Sequence, residues 1–336
     1  MKSILAALLF VGLVSSHTPA RQSEIAKNDQ VQTSKEFAPG SIRVEGEVES
    51  PLTVDLKQLP IRSVSVREVE IDPEGKTRFA GAYSYSGYSL CDILSQVKID
   101  KKNKKEFKPL LDVYFVVSND KGDYAVFSWG EVFYSRDPYR TLVSRTVSSI
   151  NPSKLRTQWK LPEVPRLISA DDLTNSRYVD NPSTITVRSF AGAISSGSKD
   201  DIYSPSITVT SEKSTTTVEQ IDPSIHSRKF TYSGYGHGMG NKGVSTIEGY
   251  PLREVSPMEA GAKSLRTGIA VVSARDGYRV VFSVSELWGR NDMNDALLVD
   301  RKDTKSDGRY LLFVPSDFFV DRDVKAVNRI EIVDVR

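Results

Sequence analysis

The stretch VVSARDGYRVVFSVSEL, Val271–Leu287, matches VVSNDKGDYAVFSWGEV, Val116–Val132, without a gap. A repeat at this spacing is far longer than a solenoid unit and reads as two copies of one domain. In the later copy two β-rich runs flank Asp276-Gly277, a dipeptide suited to the positive φ angles of a tight hairpin; the earlier copy bends at Asp120-Lys121-Gly122. After each hairpin comes the spacing Phe-Ser-x-x-Glu, Phe127 to Glu131 and Phe282 to Glu286. Ser-x-x-Glu is a capping box: the serine hydroxyl accepts from a free amide of the first helical turn and the glutamate reaches back to the serine amide. Both glutamates therefore read as structural rather than catalytic.

Working outward, Gly87-Tyr88-Ser89-Leu90 precedes the first hairpin and Gly249-Tyr250-Pro251-Leu252 the second. Leu90, Ile93, Leu94 and Val97 then fall at helical spacing, with Cys91 at the edge of the apolar stripe as a half-buried small hydrophobe. Downstream, Arg166–Asp172 faces Leu312–Asp317, and Val179–Val187 faces Val324–Ile332. Strands mixed with short helices imply an α+β fold in two tandem domains, residues 41–190 and 204–336. Between them, the small, Gly- and Ser-rich residues 191–203 (AGAISSGSKDDIY) read as a linker.

Lys2 followed by an apolar run from Ile4 to Val14 and then by small and polar residues has the order of a secretory signal, placed at 1–20. Residues 21–40 are polar and read as a flexible lead-in. The expected location is outside the cytoplasm: periplasmic, cell-surface or secreted. The apolar run is too short for a comfortable span, and no other stretch is long enough, so no transmembrane segment is expected after cleavage. Forty-five Lys and Arg against 43 Asp and Glu leave no broad field for nucleic acid. A lone cysteine, Cys91, excludes an internal disulfide and any thiolate metal cluster.

The ordered set of a Gly-aromatic-x-Leu helix, a VxxxDGYxxxFSxxEL hairpin, a Leu-Phe-Val-Pro-x-Asp strand and a closing Val-Lys-x-Val-x-x-Ile-Glu-Ile strand resembles the oxidoreductase molybdopterin-binding domain, with its sulfite-oxidase-like fold. The later copy carries the resemblance over about 207–335 and the earlier one more loosely over about 42–188. The resemblance implies mixed β-sheets and, in the family's enzymes, a molybdenum-carrying pterin held by one cysteine thiolate, a soft-ligand role. Here Cys91 sits inside a predicted helix and the later copy has no cysteine. That departure favours a protein that keeps the scaffold without the chemistry and holds no cofactor, with molybdopterin as the possible one.

A retained cleft that takes an anionic ligand needs Arg, Lys or backbone amides. Basic residues follow both capping boxes: Arg136, Arg140 and Arg145 in the first, Arg290, Arg301 and Lys302 in the second. The run Gly234-Tyr235-Gly236-His237-Gly238-Met239-Gly240-Asn241-Lys242-Gly243 reads as a mobile connection whose glycines let backbone approach a ligand. Candidate ligand-binding residues are His237, Lys242, Tyr278, Arg290, Arg136 and Arg140. No metal or hydrolase motif is present. The expected function is an exported, non-catalytic tandem-domain protein binding a small ligand or an envelope partner. The alternative is a divergent molybdopterin-dependent oxidoreductase, which requires Arg290, Lys242 and His237 to converge with Tyr278 on one deep pocket.

Overall fold

Alternation of apolar and polar residues, as in Ser41–Gly46 and in Ile61–Ile71, buries one face of each strand and builds sheets rather than helices. The structure, a computed structural model, describes residues 33–335 apart from 73, 155–157, 195–201, 259–261 and 303–307. The expected signal segment, residues 21–32 of the lead-in and the middle of the linker thus lie outside the described residues; the rest of the lead-in corrects the flexible reading, since Ser34–Glu36 is a paired strand and Phe37 is buried.

The strands form four sheets. In the first, Ile61–Ile71, Thr77–Ser89, Thr141–Ser149, Arg166–Ser169 and Val179–Asp180 pair in that order, with Ser34–Glu36 added beside Thr141–Ser149. In the second the order is Leu52–Asp55, Ser41–Gly46, Thr184–Ser189, Val113–Ser118 and Tyr124–Ser128. The third runs Thr215–Val218, Ile207–Thr210, Val327–Asp334, Gly268–Ala274 and Arg279–Ser283. The fourth runs Arg228–Gly236, Gly240–Pro251, Leu297–Asp300, Tyr310–Phe313 and Val324–Lys325. Within each half the chain threads its two sheets in the same order, so that the first sheet answers to the fourth and the second to the third.

These four sheets are arranged as the blades of a four-bladed β-propeller, which corrects the expected α+β fold of two tandem sulfite-oxidase-like domains. Strand accounts for 47% of the structure and helix for 13%, so the helices are accessories. Among the described residues none exceeds the six residues of Ala262–Thr267. The helical spacing at Leu90 to Val97 is real but short, and the helix covers only Leu90–Leu94. Nor do the halves keep separate cores. Tyr114, Val116, Val126 and Phe190 pack with Ile269, Val271, Val281 and Val335, and Leu111 and Tyr134 join the core of the later half. Apolar faces that a lone domain would expose are buried between the two halves, and that burial stabilises their association.

Local features follow the sequence closely. Gly277 and Gly122 both take φ of 88° in the two hairpin turns. Ser128 with Glu131 and Ser283 with Glu286 both form complete capping boxes. The glycine-rich run is corrected: it is the paired tip of a long hairpin, with Gly234 opposite Gly243 and Gly236 opposite Gly240, and not a mobile connection. Cross-strand pairing there satisfies the backbone that a loop would leave to water. No helix among the described residues is long and apolar enough to cross a membrane.

Candidate functional site

The two glutamates of the capping boxes come together where the two halves join. Arg177 reaches Glu131 at 2.9 Å and Asp172 at 2.6 Å, and its Nη1 donates to Ser283 Oγ of the other half at 3.0 Å. In mirror fashion Arg322 pairs with Glu286 and Asp317, and its Nη1 donates to Ser128 Oγ at 3.0 Å. Ser128 Oγ in turn donates to Glu286 at 2.7 Å, and Ser283 Oγ to Glu131 at 3.3 Å. Each arginine also lies over a phenylalanine, Arg177 on Phe127 at 4.3 Å and Arg322 on Phe282 at 4.4 Å. Burial raises the Glu131 carboxyl to about 7 against the pull of Arg177. With both guanidinia buried and every serine oxygen engaged, this is a brace between halves.

Of the candidate ligand residues, Arg136, Arg140 and Arg290 gather along one crevice of about 190 Å³ with Asp171, Asp292 and Ser316. Their charge is spent internally. Arg140 pairs with Asp171, Arg290 with Asp292 and, at 3.6 Å, with Asp171. Arg136 donates to the Asp317 carbonyl at 3.1 Å and covers the Phe230 ring. The crevice therefore offers little to an anion. Cys91 is half-buried and its thiol is pushed up by burial, as befits an unreactive position.

Lys242 and Tyr278 lie elsewhere, in an open cavity of about 480 Å³ on the fourth sheet. Tyr232, Gly234, Arg301, Leu311, Asp321, Asp323 and Lys325 complete most of its wall. Tyr278 Oη donates to the Asp321 carbonyl at 2.6 Å, and burial, then the Asp321 charge, raises its phenol. The glycines explain how Lys242 fits: a Cβ on Gly236 would stand 3.0 Å from Lys242 Cε, and one on Gly234 3.3 Å from its Cβ. The Lys242 side chain makes no hydrogen bond or ion pair with a described residue, and its field reaches Asp323. His237 marks the rim. Its amide donates to Asp321 Oδ2 at 2.7 Å, while its ring stacks on Tyr134 at 5.9 Å, outside the cavity lining.

The same place in the first half is filled. Tyr178 and Asp323 are equivalent, each capping a short 3-10 turn just before the two-residue strands Val179–Asp180 and Val324–Lys325. Tyr178 is buried with Tyr83, Tyr85, Val64 and Ile168, and Trp159 and Leu161 pack over them. Tyr83 Oη donates to the Lys160 carbonyl at 2.9 Å, tying Lys160 to this cluster. Counting back from Gly87 and Gly249, Tyr83 corresponds to Ser245, a cavity-wall residue. Arg166, facing Asp180, corresponds to Leu311, facing Lys325. Aromatic rings close the face in one half; short and charged side chains leave it open in the other.

Asp321, Asp323, Lys325 and Tyr232 escape a reading of motifs. The signal that finds Asp323 is the mismatch with Tyr178 directly before the matched run Val324–Ile332, an acid where the first half has an aromatic.

No protein-family model matches the chain, and no curated protein matches it. Among solved structures the chain is similar to the sulfane dehydrogenase SoxCD from Paracoccus pantotrophus, at 10% identity over 88% of this chain and 78% of that one, with a TM-score of 0.31. A likeness this loose carries no argument about activity.

Proposed function

We propose that the chain is an exported, non-catalytic binding protein that takes a small anionic molecule into the cavity of its later half. One observation carries the reading: Lys242, uncommitted to any described partner, faces a 480 Å³ opening that the equivalent face of the first half fills with tyrosines. A pocket of this size suits a metabolite-sized ligand. Arg301 and Lys325 also line the wall. Of the opposing acids, Asp321 accepts from the His237 amide and Asp276 from the Tyr278 amide at 3.0 Å, and burial lifts Asp323 to about 8. At neutral pH the carboxyl nearest the field of Lys242 is therefore mostly uncharged.

The oxidoreductase alternative required Arg290, Lys242 and His237 on one deep pocket. Arg290 lines the crevice, Lys242 the cavity, and the His237 ring rests on Tyr134, so that reading gains no support from the geometry.

Calorimetric titration of the purified protein with sulfate, succinate, citrate and nucleoside monophosphates tests the proposal. Saturable binding of at least one of them, lost in Lys242→Ala with the thermal melt unchanged, is the expected result. Absence of binding across the panel, or an affinity in Lys242→Ala equal to that of the wild type, overturns it.

A further inference from the structure

The cavity wall holds one carboxyl whose setting differs from all the others. Asp323 caps the turn Val320–Arg322, and its carboxyl accepts the Val314 amide at 3.1 Å, its one hydrogen bond among the described residues. The guanidinium next to it in sequence is not available. Arg322 is fully engaged by Asp317, Glu286 and Ser128. Asp317, just before that turn, disfavours a negative charge on Asp323, while Lys242 acts on it from the hairpin strand Gly240–Pro251. Tyr232 and Tyr278 both feel the Asp323 charge, and Asp321, Arg301 and Lys325 share its wall.

A carboxyl without a hydrogen-bonded cation, beside another acid and partly shielded from water, is disposed to keep its proton. A protonated carboxyl is a donor as well as an acceptor. Resting on the binding function proposed above, we infer that Asp323 grips the ligand in its acid form, donating its hydroxyl to an anionic oxygen of the molecule that Lys242 attracts. Ionised Asp323 would repel the same oxygen. Burial, the largest cause, together with Asp317 raises this carboxyl, while the Val314 amide, Lys242 and Arg322 oppose it, leaving it near 8. The cavity therefore selects anions in neutral and acidic solution and releases them as the solution becomes alkaline. A bound anion disfavours ionisation further, so binding above pH 8 draws in a proton.

The probes are sulfate and succinate, whose own charges do not change between pH 7 and pH 9.5. For whichever binds, wild-type affinity is expected to be level near pH 7 and to fall by about tenfold per unit well above pH 8. Calorimetry at pH 8.5 in buffers of different ionisation enthalpy should show proton uptake. Asp323→Asn keeps a neutral donor of the same shape, so its affinity should stay close to the wild-type value at pH 7 and remain level to pH 9.5, without proton uptake. A wild-type affinity that does not vary with pH overturns the inference while leaving the binding function intact. So does an Asp323→Asn profile that falls like the wild type, or a folded Asp323→Asn protein that no longer binds at pH 7. Failure of every anion in the wider panel at every pH overturns the binding function itself.

Discussion

Arg322 Nη1 donates to Ser128 Oγ at 3.0 Å across the junction of the two halves, and the serine that receives it is the N-cap of the helix Trp129–Phe133. The same hydroxyl accepts the Glu131 amide at 3.0 Å and donates to Glu286 at 2.7 Å. One side chain thus ends a strand, starts a helix and joins the halves, and Ser283 does the same from the other side with Arg177. Local helix capping and long-range packing use the same oxygen atoms: each capping box is complete within its half, and its serine also carries a bond to the other half.

Removing Arg322 leaves Glu286 and Asp317 buried without their cation. Arg322→Ala is expected to lower unfolding free energy by about 3–5 kcal/mol, the range for breaking a buried ion pair from one side. Arg177→Ala, which deprives Glu131 and Asp172 in the same way, should cost a similar amount. Urea unfolding measures both. A double-mutant cycle of Arg322→Ala with Ser128→Ala should show coupling of about 0.5–3 kcal/mol, since the two residues are in contact.

Gly130 lies under the Arg322 side chain. A Cβ there would stand 1.9 Å from Arg322 Nη1 and 2.2 Å from its Cδ, inside van der Waals contact with a group held on all sides. Alanine is the better helix former by about 1 kcal/mol, yet the clash sets the sign. Gly130→Ala is expected to destabilise by about 1–3 kcal/mol in the same urea measurement. An unchanged or higher midpoint would show that Arg322 can give way.

The elements legible in the sequence are those whose cause is local. Asp276-Gly277 announces a turn because glycine alone takes its φ without strain, and Ser128 with Glu131 announces a cap because the partners are three residues apart. The tertiary half of the same site was not legible. Nothing near Arg177 or Arg322 in the chain indicates that each crosses to the other half's serine. The fold class misled for a related reason: a helical stripe at Leu90 to Val97 carries no mark that the helix ends at Leu94. Of the candidate ligand residues, Lys242 was marked by its glycines, while Arg290, Arg136 and Arg140 were chosen for charge alone. The acids that neutralise Arg290 and Arg140, Asp292 and Asp171, come together with them only in the folded chain.

The raised Asp323 carboxyl also has a consequence for stability. In the unfolded chain an aspartate titrates near 4, whereas burial holds Asp323 at about 8 in the folded protein. The folded state therefore binds the proton more tightly, and the stability linked to this group is fully present below about pH 4 and lost as pH rises through about 8. Relative to Asp323→Asn, the wild type should lose about 2–4 kcal/mol between pH 4 and pH 8, less than the full shift because cavity water screens the site. Denaturant unfolding of both proteins at pH 4.5, 6 and 8 measures the difference. Equal pH dependence would place the proton elsewhere.

The first half shows what a closed version of the cavity looks like, and this makes a substitution that fills rather than deletes. Tyr178 occupies the position of Asp323, buried among Tyr83, Tyr85 and Ile168. Asp323→Tyr places that ring in the later half, where Ser245 stands in for Tyr83 and leaves it room. The change also removes a carboxyl that folding forces to take up a proton at neutral pH. The variant is therefore expected to fold with a melting temperature at or above that of the wild type, yet to lose binding of any anion that the wild-type cavity takes, by at least about a hundredfold. Truncation cannot separate a lost contact from a damaged fold in this way. Retained binding by a stable Asp323→Tyr protein would move the site out of this cavity altogether, because a ring at that position leaves Lys242 no open wall to face.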